Sequence, residues 1–143
     1  MDQSSGYLHV EFQSSLTTHQ TLEAKEKFEL LCLDFHIRPQ ANVSDQGTAF
    51  TSQEFARHLS AFSQIHLLTP PGGHHQNIAK QAIGTITQIA RTMMLHSAIH
   101  WPEVSDSQLW PMAVWYAVNI YNHMPCQQSG LPLLMNSLAN DGN

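Results

Sequence analysis

Positive charge is scarce in this sequence. Six Lys and Arg stand against eleven Asp and Glu, a formal charge of −5 with histidine neutral. Phosphate recognition draws much of its free energy from Lys and Arg displacing counterions. A surface that grips nucleic acid all over is therefore excluded, and any such face has to be local. Ten histidines add positive charge only in acid. Cysteine is scarce too. Cys32 and Cys126 are the only two, far apart in sequence, and read as reduced thiols of an intracellular protein. No apolar run approaches the roughly 20 residues of a membrane span. Met1 is followed by Asp2 and polar residues, without the basic start and apolar stretch of a secretory leader. The last scarcity is local: no Asp or Glu occurs from Phe55 to Pro102.

What is present suffices for one domain with a real core, but not for two, in 143 residues. Hydrophobic content of 42%, with aromatics spread along the chain, points to a globular protein rather than a disordered one. Thr69 to Met94 is the most informative stretch. A Pro-Pro-Gly-Gly loop stops what precedes it, two histidines and a Gln-Asn pair follow, and Asn77 can cap a long helix. Ala79, Ala82, Ile83, Ile86, Ala90, Met93 and Ser97 recur at spacings of three and four, the buried stripe of that helix. Lys80, Gly84, Thr87 and Arg91 define a second face that is small, polar and basic.

Before that helix, alternation in Tyr7 to Phe12 predicts a strand, and Ser15 to Thr18 a second short one. A helix from Gln20 or Thr21 to about His36 would bury Leu22, Phe28, Leu31 and Phe35 and leave Lys25, Glu26, Lys27 and Glu29 outside. Ala41 to Ser44 reads as a strand ending at an Asp45-Gln46-Gly47 turn. Ser52 caps a helix from Gln53 to Phe62, with Phe55, Leu59 and Phe62 inward, and Ile65 to Leu68 is another strand. A last helix from Ser105 or Asp106 to His123 tolerates Pro111 only in its first turn. Its stripe is Leu109, Ala113, Ala117, Ile120, Tyr121 and Met124. The expected domain runs over residues 1–133, with a frayed tail at 134–143.

The run GGHHQN before a helix ending in ARTMMLH, followed by HWPE and LWPMAVWYAVN, resembles the integrase core of copia-type retrotransposons. That resemblance implies an α/β fold, a ribonuclease-H-like mixed sheet flanked by helices. The family's first strand would be largely missing here, since Asp2 aligns with the first catalytic Asp near that strand's exit. Strand transfer in the family uses three carboxylates and two Mg²⁺ ions, one activating the attacking oxygen and one stabilising the leaving oxygen. Asp2 and Asp45 match the first two acids. The third position, in the first turn of the long helix, is Lys80, and a one-residue slip gives Gln81. An ammonium beside two carboxylates stands where the cation would be. The expectation is a remnant site, with Asp2 and Asp45 at most weak metal ligands, catalysis lost and no cofactor of its own.

Weak, salt-sensitive contact with DNA would then rest on His75, Gln76, Asn77, Lys80 and Arg91. A nuclear location follows from the family only. Two other readings stand beside this one. The chain is a non-enzymatic interaction module or retroelement remnant, self-associating through an open sheet edge. Alternatively it is an active Mg²⁺-dependent nuclease in which another acid replaces the Glu. Glu54 and Glu103 are the nearest, and Glu103 lies past the far end of the long helix. His74 and His75 are adjacent and lack a nearby Cys or carboxylate, so they read as loop hydrogen-bonding residues. His96 and His100 have the spacing that can hold a metal on one helix face, but without a third ligand or an H-E-x-x-H pattern they read as structural. Trp101, Trp110 and Trp115 read as packing residues rather than a base-stacking platform.

Overall fold

A computed structural model of the chain describes residues 1, 6–70 and 78–124. In order these form α1 (Thr18–Asp34), β1 (Ala41–Ser44), α2 (Gln53–Ala61), β2 (Ile65–Leu68), α3 (Ile78–His100), a 3-10 turn (Ser107–Leu109) and α4 (Trp110–His123). Contacts divide the chain into two compact units, Met1–Val10 with Ile78–Asn143, and Glu11–Asn77.

The Glu11–Asn77 unit is a βαβ arrangement preceded by a helix. β1 and β2 pair in parallel, with Ala41 opposite Ile65 and Ser44 opposite Leu68. The ladder is extended at both ends, by Ile65 N–H donating to the Gln40 carbonyl at 2.9 Å and Thr69 N–H donating to the Ser44 carbonyl at 2.8 Å. Thr17 caps α1 through a bond accepted from Gln20 N–H, and Ser52 caps α2 through one accepted from Phe55 N–H. Both helices end alike. Ile37 N–H reaches the Cys32 carbonyl and His36 N–H that of Leu33; Gln64 N–H reaches Leu59 and Ser63 N–H reaches Ser60. This is the paired-bond C-terminal motif that needs a left-handed residue. His36 at φ 60° and Ser63 at φ 55° occupy it without being glycine. Leu22, Phe55 and Leu59 form the core with Phe50 against it, and the Phe50 and Phe55 rings meet edge to face at 5.4 Å.

The other unit is built on α3 and α4. Ala82, Ile86 and Ala90 face Ala117 and Val118, with Leu8 completing the buried set and Met93, Trp110 and Tyr121 around it. Ala90 and Ala117 are wholly buried. Pro111 falls at the start of α4, where its missing N–H costs nothing, and Asp106 caps the 3-10 turn before it. Asn122 is buried in α4 and binds Leu8 through both main-chain polar groups.

Several expectations are corrected here. Tyr7 to Phe12 is not a strand, and Ser15 to Thr18 is the approach to α1 and its first residue. The Leu8 backbone bonds the Asn122 side chain instead of a strand ladder. Among the described residues the sheet has two strands, paired in parallel, and the expected mixed ribonuclease-H-like sheet is not seen. Lys25 and Glu29 point inward: their side chains are only 9% and 13% exposed. Ile83, expected in the core, is 63% exposed, and Phe62, also expected inward, is 60% exposed. α1 begins two to three residues early, at Thr18.

Candidate functional site

Asp45 follows β1 directly, at the strand end that the sequence pattern assigned it. It is exposed, and its Oδ1 accepts a bond from Gly47 N–H at 3.0 Å. A side chain at Gly47 would approach that oxygen at 3.1 Å, so glycine leaves room for the turn. One carboxylate oxygen is therefore committed to local backbone. That is the ordinary work of an Asp in such a turn, and it leaves Oδ2 for other uses.

Beside Asp45 the sheet carries a short polar row. Ser44 is buried, and its Oγ lies 2.8 Å from His66 Nε2. The His66 ring packs on Phe55 at 5.4 Å. Asn42 is paired with His66 across the ladder, and its Oδ1 is buried with no hydrogen-bond partner among the described residues. Ser44 and His66 were not singled out from the sequence. Nothing in their local pattern distinguishes them, since they meet only when β1 and β2 pair. Burial of Ser44 keeps solvent and substrates from its hydroxyl, so the pair serves packing rather than nucleophilic chemistry.

A second polar cluster joins α1, α2 and the entry to β2. Lys25 Nζ contacts the Glu29 carboxylate and donates to Gln64 Oε1 at 2.8 Å, while Gln64 Nε2 donates to Glu29. His58 Nε2 lies 3.3 Å from Glu29 and its Nδ1 lies 3.6 Å from Glu26. Burial pushes the Glu29 carboxyl up. The bonds from Lys25 and Gln64, the Lys25 charge and the His58 contact outweigh that and hold it below the ordinary glutamate range. The cluster satisfies itself and presents no open ligand face.

In the other unit, Lys80 stands exposed in the first turn of α3, and Arg91 is exposed on the same helix. Eleven positions separate them, three turns and about 16 Å at 1.5 Å per residue. Gly84 lies between them, and a Cβ there would meet nothing within 4 Å. The face is open, as the sequence pattern indicated. Asp2, His75, Gln76 and Asn77 lie outside the described residues, as do His74 and Cys126. Asp45 and Lys80 belong to different units.

Magnesium, which the family resemblance implies, needs several oxygen donors converging on one point. Among the described residues no group of three or more His, Cys, Asp or Glu is placed to hold a metal ion. Asp45 has one oxygen engaged, and α3 offers a lysine in its first turn. No helix among the described residues is long and apolar enough to cross a membrane.

No protein-family model matches the sequence, and no curated protein matches it significantly. Solved structures do. The catalytic core domain of HTLV-2 integrase in complex with magnesium, in its trimeric form, superposes with a TM-score of 0.72 at 20% identity, covering 95% of this chain and 80% of that one. Its dimeric form gives 0.69 at 20% identity, over 93% and 77%. The simian T-cell lymphotropic virus intasome, solved with the PP2A regulatory subunit B56 gamma, gives 0.65 at 16% identity, over 95% of this chain and 45% of that one. At these identities the likeness is one of architecture: this α/β chain has the fold of a retroviral integrase catalytic core.

Proposed function

We propose that the chain is an integrase-core-like domain of a copia-type retroelement that has lost polynucleotidyl transfer and keeps at most a local nucleic-acid contact. One observation carries the loss: the first turn of the helix that bears the third carboxylate in the resembled family bears Lys80, and no acid follows until Glu103, beyond α3. An ammonium repels the divalent cations that such a centre gathers. The integrase-core fold supports the scaffold half of the reading, and exposed Lys80, Gly84 and Arg91, with Thr87 half-buried among them, support the contact half. Nuclear residence would follow from the same reading.

A test is a divalent-dependent nicking and strand-transfer assay with Mg²⁺ and Mn²⁺. The expected result is no turnover in the wild type and none in Asp45→Ala. Turnover that Asp45→Ala abolishes would restore the working-nuclease reading.

A second reading, a self-associating interaction module, has its own support. Val43 and Leu67 are register partners on adjacent strands and are 42% and 51% exposed, with Ile65 at 62%. The two strands seen among the described residues form a parallel pair, and a sheet edge left uncovered can pair with another chain. Two of the similar solved structures are described as trimeric and dimeric. Sedimentation of the chain across a concentration series separates the readings: a monomer throughout would remove this one.

A further inference from the structure

We propose that His58 is a proton-operated clasp between α2 and α1: with a hydrogen on both ring nitrogens it holds Glu26 as well as Glu29, and without the one on Nδ1 it releases Glu26 to solvent. The ring stands between two carboxylates of α1. His58 Nε2 lies 3.3 Å from Glu29, and Nδ1 lies 3.6 Å from Glu26. The two acids are three positions apart, so one helix face presents both. The His58 side chain is only 10% exposed, and the Phe62 ring lies against it with centroids 4.8 Å apart.

The Glu29 contact decides which nitrogen keeps its hydrogen. Lys25 and Gln64 both donate to Glu29, whose carboxyl is held below the ordinary glutamate range. At neutral pH it is ionised and can only accept. The hydrogen between ring and carboxylate therefore belongs to Nε2. A neutral imidazole has one N–H, so Nδ1 then turns a lone pair toward Glu26, and a lone pair facing a carboxylate oxygen makes no bond. The imidazolium carries N–H groups on both nitrogens and pairs with both acids.

The surrounding charges set the sense. α1 brings Lys25, Glu26 and Glu29, one positive charge against two negative, so a proton on His58 balances the group. The entry to β2 brings neutral Gln64, and His66 of β2 bonds Ser44 and packs on Phe55 instead. On α2 itself Arg57 reaches Gln53, and Glu54 is exposed one turn before His58. The two acids differ in freedom. Glu29 is 13% exposed and is held by Lys25 and Gln64 whatever the charge on the ring. Glu26 is 56% exposed, and His58 is its ion-pair partner among the described residues. Loss of the proton thus frees Glu26 alone. The clasp lies within the Glu11–Asn77 unit and does not rest on the proposed function.

The test is nuclear magnetic resonance of the full chain, labelled with ¹³C and ¹⁵N, across about pH 5 to 8.5, the span in which histidines ordinarily titrate. Long-range ring spectra of His58 are expected to show Nε2 keeping its hydrogen throughout and Nδ1 losing its own. Side-chain couplings of Glu26 should report one rotamer at the acid end and averaged rotamers at the other, the change following the His58 signals. Glu103, in the other unit, should show no such change. In His58→Leu the Glu26 couplings should be averaged at every pH. Glu26 couplings that stay constant across the range in the wild type, a neutral ring protonated at Nδ1, or a fixed Glu26 rotamer in the variant would each overturn the clasp.

Discussion

Asn122 and Leu8 stand 114 positions apart in sequence and are joined at two points. Leu8 N–H donates to Asn122 Oδ1 at 2.9 Å, and Asn122 Nδ2 donates to the Leu8 carbonyl at 2.8 Å. The amide of one side chain does what a neighbouring strand would do for one residue. Both groups are buried, so neither main-chain atom has water as an alternative.

Asn122→Leu should therefore be costly although it fills similar space. It strands a buried N–H and a buried C=O, and the expected loss is about 2–4 kcal/mol. Asn119→Leu, on the exposed side of α4, should change stability by less than about 0.5 kcal/mol. Urea unfolding checks both; equal midpoints for the two variants would contradict the assigned role of Asn122.

The Glu29 carboxyl gives a pH signature. Its folded-state value lies below the unfolded one, so the folded state binds fewer protons through that window. The stabilisation is complete above the ordinary glutamate range, about pH 4.3 and upward. It is lost as pH falls through the depressed folded value. Glu29→Gln should flatten this part of the stability profile while leaving the profile above pH 6 nearly parallel to that of the wild type.

Lys25→Met leaves the Glu29 carboxylate nearly buried without its cation. The expected cost is about 1–3 kcal/mol, reduced from the fully buried case because some exposure remains. The double variant Lys25→Met, Glu29→Leu should cost less than Lys25→Met alone. A double-mutant cycle by thermal unfolding reads the coupling.

At Gly84 and Ser63 the residue present and the backbone's need part company. Gly84 lies within α3 with open space around it, so Gly84→Ala should raise stability by about 0.5–1 kcal/mol. Ser63 takes the left-handed position after α2 that glycine occupies without strain, and Ser63→Gly should gain a similar about 0.5–1 kcal/mol. Each should appear as a rise of a few degrees in Tm. A fall in Tm for Gly84→Ala would mean that the site is not open.

The Lys80 and Arg91 face predicts a shallow salt dependence. Two phosphate contacts on duplex DNA give a log–log slope near −1.8, about a twelvefold loss between 50 and 200 mM salt. Lys80→Ala with Arg91→Ala should abolish the slope together with the binding. Fluorescence anisotropy with a short labelled duplex measures both. A slope unchanged in the double variant would place any contact elsewhere.

The local elements were largely legible in the sequence. β1, α2 and β2 fall where alternation, Ser52 and the Asp45 turn place them, because each is bounded by residues whose backbone preferences are strong. The end of α4 at His123 was legible, but the helix starts at Trp110 rather than at Ser105 or Asp106, which is what puts Pro111 in its first turn. What was hidden depended on partners distant in sequence. Ile83 and Ala82 are adjacent, and apolarity alone favours the larger side chain for the core. The core took Ala82, because α3 meets α4 through small residues. Lys25 and Glu29 look like an exposed pair until Gln64 and His58 arrive from other elements. The buried Asn122 was invisible for the same reason: a lone Asn on an apolar helix acquires meaning only from Leu8. For the site, the absence of any Asp or Glu from Phe55 to Pro102 was plain in the sequence, whereas the Asp45 bond to Gly47 and the His96 and His100 stack required coordinates.

The seam between α3 and α4 makes the chain a recorder of its own history. Ala90 and Ala117 are wholly buried in the core that α3 and α4 share, and a single nucleotide change suffices to turn an alanine codon into one for valine or threonine. Where related chains accumulate changes freely, these two positions would be among the first to betray it. Related chains that vary elsewhere yet hold alanine at both would mark a scaffold that selection still maintains.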